Sequence, residues 1–197
     1  VSIKGILAYL DPAANFQGVL DVAVALARRH GAHLAGLHAV SEKAAERAPE
    51  ALQAAFDEQA MQVQLSHEWL CVQGNQQGLV VLEARAHDLL VIGQANPDTR
   101  GLWPQAHHLL ESALIKSGHP LIAVPYRGAF SSVGEEILVA WSGAREAARA
   151  VEDAMPILEK ARSVTLLTVD LRSGDALSVD HLTTLLERHG VTVSVQG

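Results

Sequence analysis

The stretch "GQANPDTRGLWPQAHHLLES", residues 93–112, offers the first chemistry. It leaves an apolar run, "DLLVIG", and enters a helical pattern, "HHLLESALIKSG", closed by Gly118. A glycine-punctuated passage from strand to helix is where α/β proteins cradle phosphate. Glycine lets the backbone approach the anion, and the helix start presents free N–H groups. The same stretch holds what a phosphate site avoids, since Pro97 and Pro104 supply no N–H and Glu111 adds a carboxylate. Ten histidines suggest a metal, but His30 and His33 flank a helix-ending glycine and His107 and His108 are adjacent. Neither pair has the spacing of an H-E-x-x-H face, so these histidines read as solvated or locally bonded, with no metal expected. Cys71 lies in an apolar strand pattern without a second thiol and reads as a packed side chain. Trp103 reads as a cover for the sheet edge or as an anchor for a protein partner of unspecified identity. No G-x-S-x-G, Walker A or paired catalytic carboxylates occur, so no enzyme activity is expected.

The elements that position these residues alternate. Strand patterns at 3–10, 32–40, 67–74, 88–93 and 120–125 are separated by helical patterns at 15–31, 49–64, 76–86 and 109–117. Apolar strands alternating with amphipathic helices predict an α/β fold, a doubly wound parallel sheet covered on both faces. With 15 basic against 22 acidic residues, nothing points to nucleic acid or an anionic membrane. A single cysteine and the lack of a span-length apolar run make the cytoplasm the expected compartment. The start at Val1 suggests trimming, and Gly197 reads as a natural, engineered or proteolytic end alike.

The chain then repeats itself. "ILAYLDPA" at 6–13 lies over "ILVAWSGA" at 137–144, 131 positions on, and "HLAGLHA" lies over "VTLLTVD" at the same offset. Further along, "WLCVQG" at 69–74 meets "TVSVQG" at 192–197, an offset of 123. A repeat of this size implies a duplicated domain. The expected division is a complete domain over 1–126, a linker over 127–134 and a partial second domain over 135–197, with three strands and two helices. Ser142 reads as an N-cap for a helix over 144–160.

With "GILAYLDPAANFQGVLDVAVALARRHGAHLAGLHAV", "AHDLLVIGQ", "LLESALIKSGHPLIAVPY" and "EEILVAWSGAREAARAVEDAMPILEKARSVTLLTVD" in this order, the chain resembles the universal stress protein (UspA-like) family. The likeness is to tandem members that join two such domains in one polypeptide. It implies sheet order 3-2-1-4-5, the adenine nucleotide alpha hydrolase-like fold, followed by a partial second copy. It also implies an adenine-nucleotide crevice between strands 1 and 4, lined by Asp11, Val40, Gly93 and Ser112. In nucleotide-binding members a G-x2-G-x9-G-[ST] loop wraps the phosphates. Here Gly93 matches its first glycine, Asn96 stands at the second, and Glu111 and Ser112 fall where the last pair is expected. Two negative charges about 4 Å apart at an effective dielectric of about 20 repel by roughly 4 kcal/mol, so the loop reads as altered and ATP binding as weak. The expected role is therefore a non-enzymatic stress-response or regulatory one, and the alternative is an ATP-binding protein. The resemblance further implies pairing through the 120–125 strand, which makes a homodimer the expected state.

Overall fold

The computed structural model describes residues 2–12, 14–40, 50–97, 103–130, 132–168 and 176–196, with the side chains of 103–107 and 176–178 outside that description. The chain divides into two compact units, Ser2–Ser131 and Ser132–Gly197.

In the first unit the strands are β1 (Gly5–Tyr9), β2 (His33–Val40), β3 (His67–Gln73), β4 (Leu89–Gly93) and β5 (Leu121–Val124). They form one parallel sheet in the order β3-β2-β1-β4-β5, as expected. Between them run α1 (Phe16–His30), α2 (Glu50–Gln62), α3 (Gln76–Ala84) and α4 (Trp103–Lys116). β1 and β4 are continuous apolar runs because helices cover both of their faces. On one face Leu7, Tyr9, Leu37, Leu90 and Ile92 pack beneath Val80 and Ala84 of α3 and Leu109 and Ala113 of α4. On the other, α1 lies along β1 and β4 while α2 lies along β2 and β3. Local sequence sets the limits of α1: Asn15 caps its start through Gly18 N–H, and Gly31, with φ of 60°, closes it in the left-handed region.

Two expectations about this unit need correction. α4 begins at Trp103 and not at Leu109, because Pro104 falls in the first turn, where a helix needs no N–H donor and a fixed φ is favourable. Cys71 is exposed and not packed, because β3 is an edge strand of the sheet.

The second unit holds β6 (Glu136–Trp141), α5 (Arg145–Leu158), β7 (Ser163–Thr168), α6 (Ala176–Arg188) and β8 (Val193–Gln196), the strands parallel in the order β6-β7-β8. Trp141, Val151, Leu158, Val164, Leu166 and Leu186 form its core. The ladder corrects the offset at the end of the chain. Ile6 is opposite Leu34 as Ile137, 131 positions on, is opposite Val164, so Leu34 corresponds to Val164 at an offset of 130, one less than the letters of this strand give. Leu34 in turn pairs with His67 as Val164 pairs with Val193, so His67 corresponds to Val193, 126 positions on. The turns agree, with Leu65 N–H bonded to Ala60 O and Val191 N–H to Leu186 O. The shared letters "VQG" had suggested a register three positions away. Ser142 is likewise not the N-cap. Gly143, with φ of 71°, inserts a turn in which Ser142 Oγ accepts from Ala144 N–H at 3.4 Å, and Ala144 itself precedes the helix.

Candidate ligand crevice at the carboxyl edge

Parallel pairing brings the carboxyl ends of β1, β2 and β4 to one edge. Tyr9 is opposite Leu37 on one side and Ile92 on the other, so Asp11, Val40 and Gly93 all lie just beyond these rungs. Each also has a local structural role. The Asp11 carbonyl accepts Ala14 N–H at 3.0 Å, the turn expected of Asp before Pro. The Val40 carbonyl accepts Gly74 N–H at 2.9 Å, and Gln76 Nε2 donates to Ala39 O at 2.8 Å, fastening the β2 end to the start of α3. At Gly93 a Cβ would sit 3.3 Å from both Ala14 Cβ and Val19 Cγ2, so the start of α1 occupies the space this glycine leaves.

Ser112 is not part of this edge. It lies buried nine residues into α4, about 13 Å along the axis from the helix start. Glu111 lies beside it in the third turn, half exposed and 3.4 Å from His108 Nδ1. At about 12 Å from an anion received at the helix start, its repulsion falls from roughly 4 to about 1 kcal/mol, further reduced by ionic screening. Asn96 and Pro97 are described, whereas residues 98–102 of the loop and the side chains of Trp103 and Pro104 lie outside the described residues.

Three side chains at this edge went unread in the sequence. Asn15 Nδ2 donates to Pro125 O at 3.2 Å and Gly128 O at 3.3 Å, joining the α1 start to the chain leaving β5. His38 is buried and its Nδ1 stands 2.8 Å from Leu10 O, bracing β1 against β2. Gln76 makes the bond already described. An Asn three residues ahead of a helical glycine was the available signal for the first; nothing local marks the other two. Burial, and then the Asp11 charge, pushes the Tyr9 hydroxyl well above the ordinary tyrosine range, so it remains a neutral donor. Among the described residues, no group of three or more His, Cys, Asp or Glu side chains could hold a metal ion. No helix among them is long and apolar enough to cross a membrane. Several histidines are locally bonded, including His33 to Ser66 Oγ at 2.7 Å and His87 to Glu83 O at 2.9 Å.

No protein-family model and no curated protein matches the chain. Solved structures do. A universal stress protein from Archaeoglobus fulgidus DSM 4304 is similar over 99% of this chain and 76% of its own, at 14% identity and a TM-score of 0.73. The cytoplasmic domain of a prokaryotic cation chloride cotransporter is similar over 100% of this chain and 79% of its own, at 12% identity and a TM-score of 0.60. A universal stress protein in complex with cAMP is similar over 64% of this chain and 100% of its own, at 18% identity and a TM-score of 0.53. What these likenesses establish is a shared architecture, the α/β fold of universal stress proteins with its parallel 3-2-1-4-5 sheet and flanking helices.

Proposed function

We propose that the chain is a tandem universal-stress-type protein, with a complete domain over 1–126, a linker over 127–134 and a second copy over 135–197, acting as a non-enzymatic stress-response or regulatory module. The supporting observation is that the described groups at the carboxyl edge are engaged in holding the fold together. Ala14 and Val19 close on Gly93, and Asn15 and His38 tie neighbouring segments together. A glycine that serves packing is not thereby a phosphate cradle. The second reading, weak adenine-nucleotide binding, is favoured by the convergence of Asp11, Val40 and Gly93 at one edge. It is favoured also by the cAMP complex of a structural neighbour. Ser112 is no part of that site.

Calorimetry with Mg-ATP and chromatography of nucleotide released by heating the purified chain separate the readings. We expect no bound nucleotide and a dissociation constant weaker than about 100 μM, or less than roughly 5.5 kcal/mol. A low micromolar constant would establish the second reading in place of the first, and steady phosphate release would overturn the non-enzymatic one. We further propose a homodimer that pairs through β5, an edge strand of the sheet.

A further inference from the structure

Within the second unit, the seam between α5 and α6 opens into a groove of about 620 Å³. Trp141, Val151, Met155, Leu182 and Leu185 line it, and its polar lining residues are Glu152, His181 and His189, the last with its Nδ1 on Glu159 at 2.9 Å. That volume and an apolar lining with few polar groups are the properties of small-molecule sites, which span about 300–1,000 Å³.

The equivalent seam of the first unit differs in a way that identifies the chemistry. There Asp21 Oδ1 accepts hydrogen bonds from Gln17 Nε2 and Gln59 Nε2, each at 2.8 Å, and the two glutamine side chains approach each other at 3.2 Å. This three-residue network joins α1 to α2. By the 131-position register Gln17 and Asp21 correspond to Ala148 and Glu152, with Leu20 and Val151 as matching core residues. By the 126-position register of the second helix and third strand, Gln59 corresponds to Leu185. The carboxylate is therefore kept while both of its donors are replaced by apolar side chains, and the nearby cation, the exposed Arg149 guanidinium, gives its hydrogen bonds to Asp153. Pro156 adds to this, since it has no N–H to return to the Glu152 carbonyl four residues earlier.

A carboxylate beside an apolar groove, at a position where its counterpart held two N–H donors, is complementary to a ligand that carries those donors. We propose that this groove binds a small amphiphile with a cationic, hydrogen-bond-donating head on Glu152 and an apolar body against Trp141 and Met155. The comparison of seams rests on the tandem reading above; the groove and its lining do not.

The test uses the full chain, labelled with ¹⁵N, and three probes of one length: octylammonium, octanol and octanoate. Octylammonium is expected to shift the Trp141 indole and the α5 and α6 amides saturably, with a dissociation constant below about 1 mM. Octanoate should bind at least about tenfold more weakly, and Glu152→Gln should reduce octylammonium to the affinity of octanol, as loss of a charge-assisted hydrogen bond requires. Equal binding of octanoate and octylammonium, shifts located elsewhere, no saturation, or indifference to Glu152→Gln would each overturn the site. So would Trp141 shifts that follow chain concentration without any amine, since a second copy would then occupy the groove. A triple variant, Ala148→Gln with Glu152→Asp and Leu185→Gln, rebuilds the first unit's network and should close the seam. If it folds but still binds the amine while Glu152→Gln does not, the tandem register fails and the site stands.

Discussion

Asp88 shows how one residue secures the end of the sheet opposite the crevice. Its carboxylate accepts Lys4 N–H at 2.7 Å and Gly5 N–H at 2.9 Å, holding the entry to β1. Partial burial pushes its pKa up, but these two bonds, with His119 and His87 nearby, outweigh burial and set it below the usual carboxylate value. A lowered folded pKa gives stability that is complete above the unfolded value, near 3.9, and is lost as pH falls through the folded one. Asp88→Asn should therefore cost about 1 kcal/mol at neutral pH, a figure reduced for solvent exposure, and progressively less as pH falls below about 3.9. Urea midpoints of both proteins across that range check it; a difference that does not shrink in acid defeats the assignment. Gly93→Ala should cost about 1 kcal/mol in the absence of any ligand, and Val19→Ala on top of it should return part of the loss. Thermal melts of the two variants decide, and a neutral Gly93→Ala would remove the packing account. Glu111→Gly should destabilise the fold by the helix cost of glycine, about 1 kcal/mol, seen as a lower melting temperature, without tightening ATP. Asp11, Val40 and Gly93 were legible as edge residues because strand ends can be read from apolar runs. Ser112 was misplaced because Pro104 looked like a break before the helix when it lies in the helix's first turn.

At the scale of elements, strand count, direction and helix alternation were legible because periodicity records which face is buried. Register was less so: β8 was set three residues off by a coincidence of letters that hydrogen bonding does not respect. Edge chemistry was also hidden, and it changes how β5 should be tested. Pro120 O accepts Leu90 N–H and Val124 O accepts Gln94 N–H, so even-numbered residues of β5 bond to β4. By alternation, Ala123 turns its N–H to the open side. Val124 is 1% exposed, so a charge there would disrupt the core rather than probe association. Ala123→Pro removes an outward donor while leaving the β4 ladder intact. Light scattering at tens of micromolar should show a dimer for the parent chain and a monomer for the variant, with unfolding free energies within about 1 kcal/mol of each other. A parent chain that is already monomeric, near 21.0 kDa, would defeat the dimer.

At the scale of the whole molecule, the two units share a strand order but differ in how they are covered. Leu7 is fully buried beneath α3 and α4, whereas Leu138, 131 positions on, is 60% exposed on the face of β6 opposite its core. The alternation of strands and helices in both units could be read from the sequence, but this inequality could not, because a strand's letters do not state which helices lie over it. A one-sided core leaves the second unit little margin. Leu166→Ala, at a site with no exposure, should remove about 2–5 kcal/mol and strip hydrogen-exchange protection from β6, β7 and β8. Retained protection would show the unit to be sturdier than its core implies. One further property follows from Trp141, which is 9% exposed and the single tryptophan of 132–197. With Trp69 and Trp103 both changed to Phe, every photon emitted by indole comes from the second unit. The chain is thereby optically partitioned: a red shift in that emission marks the opening of this half alone, and the other half can be followed in a Trp141→Phe protein.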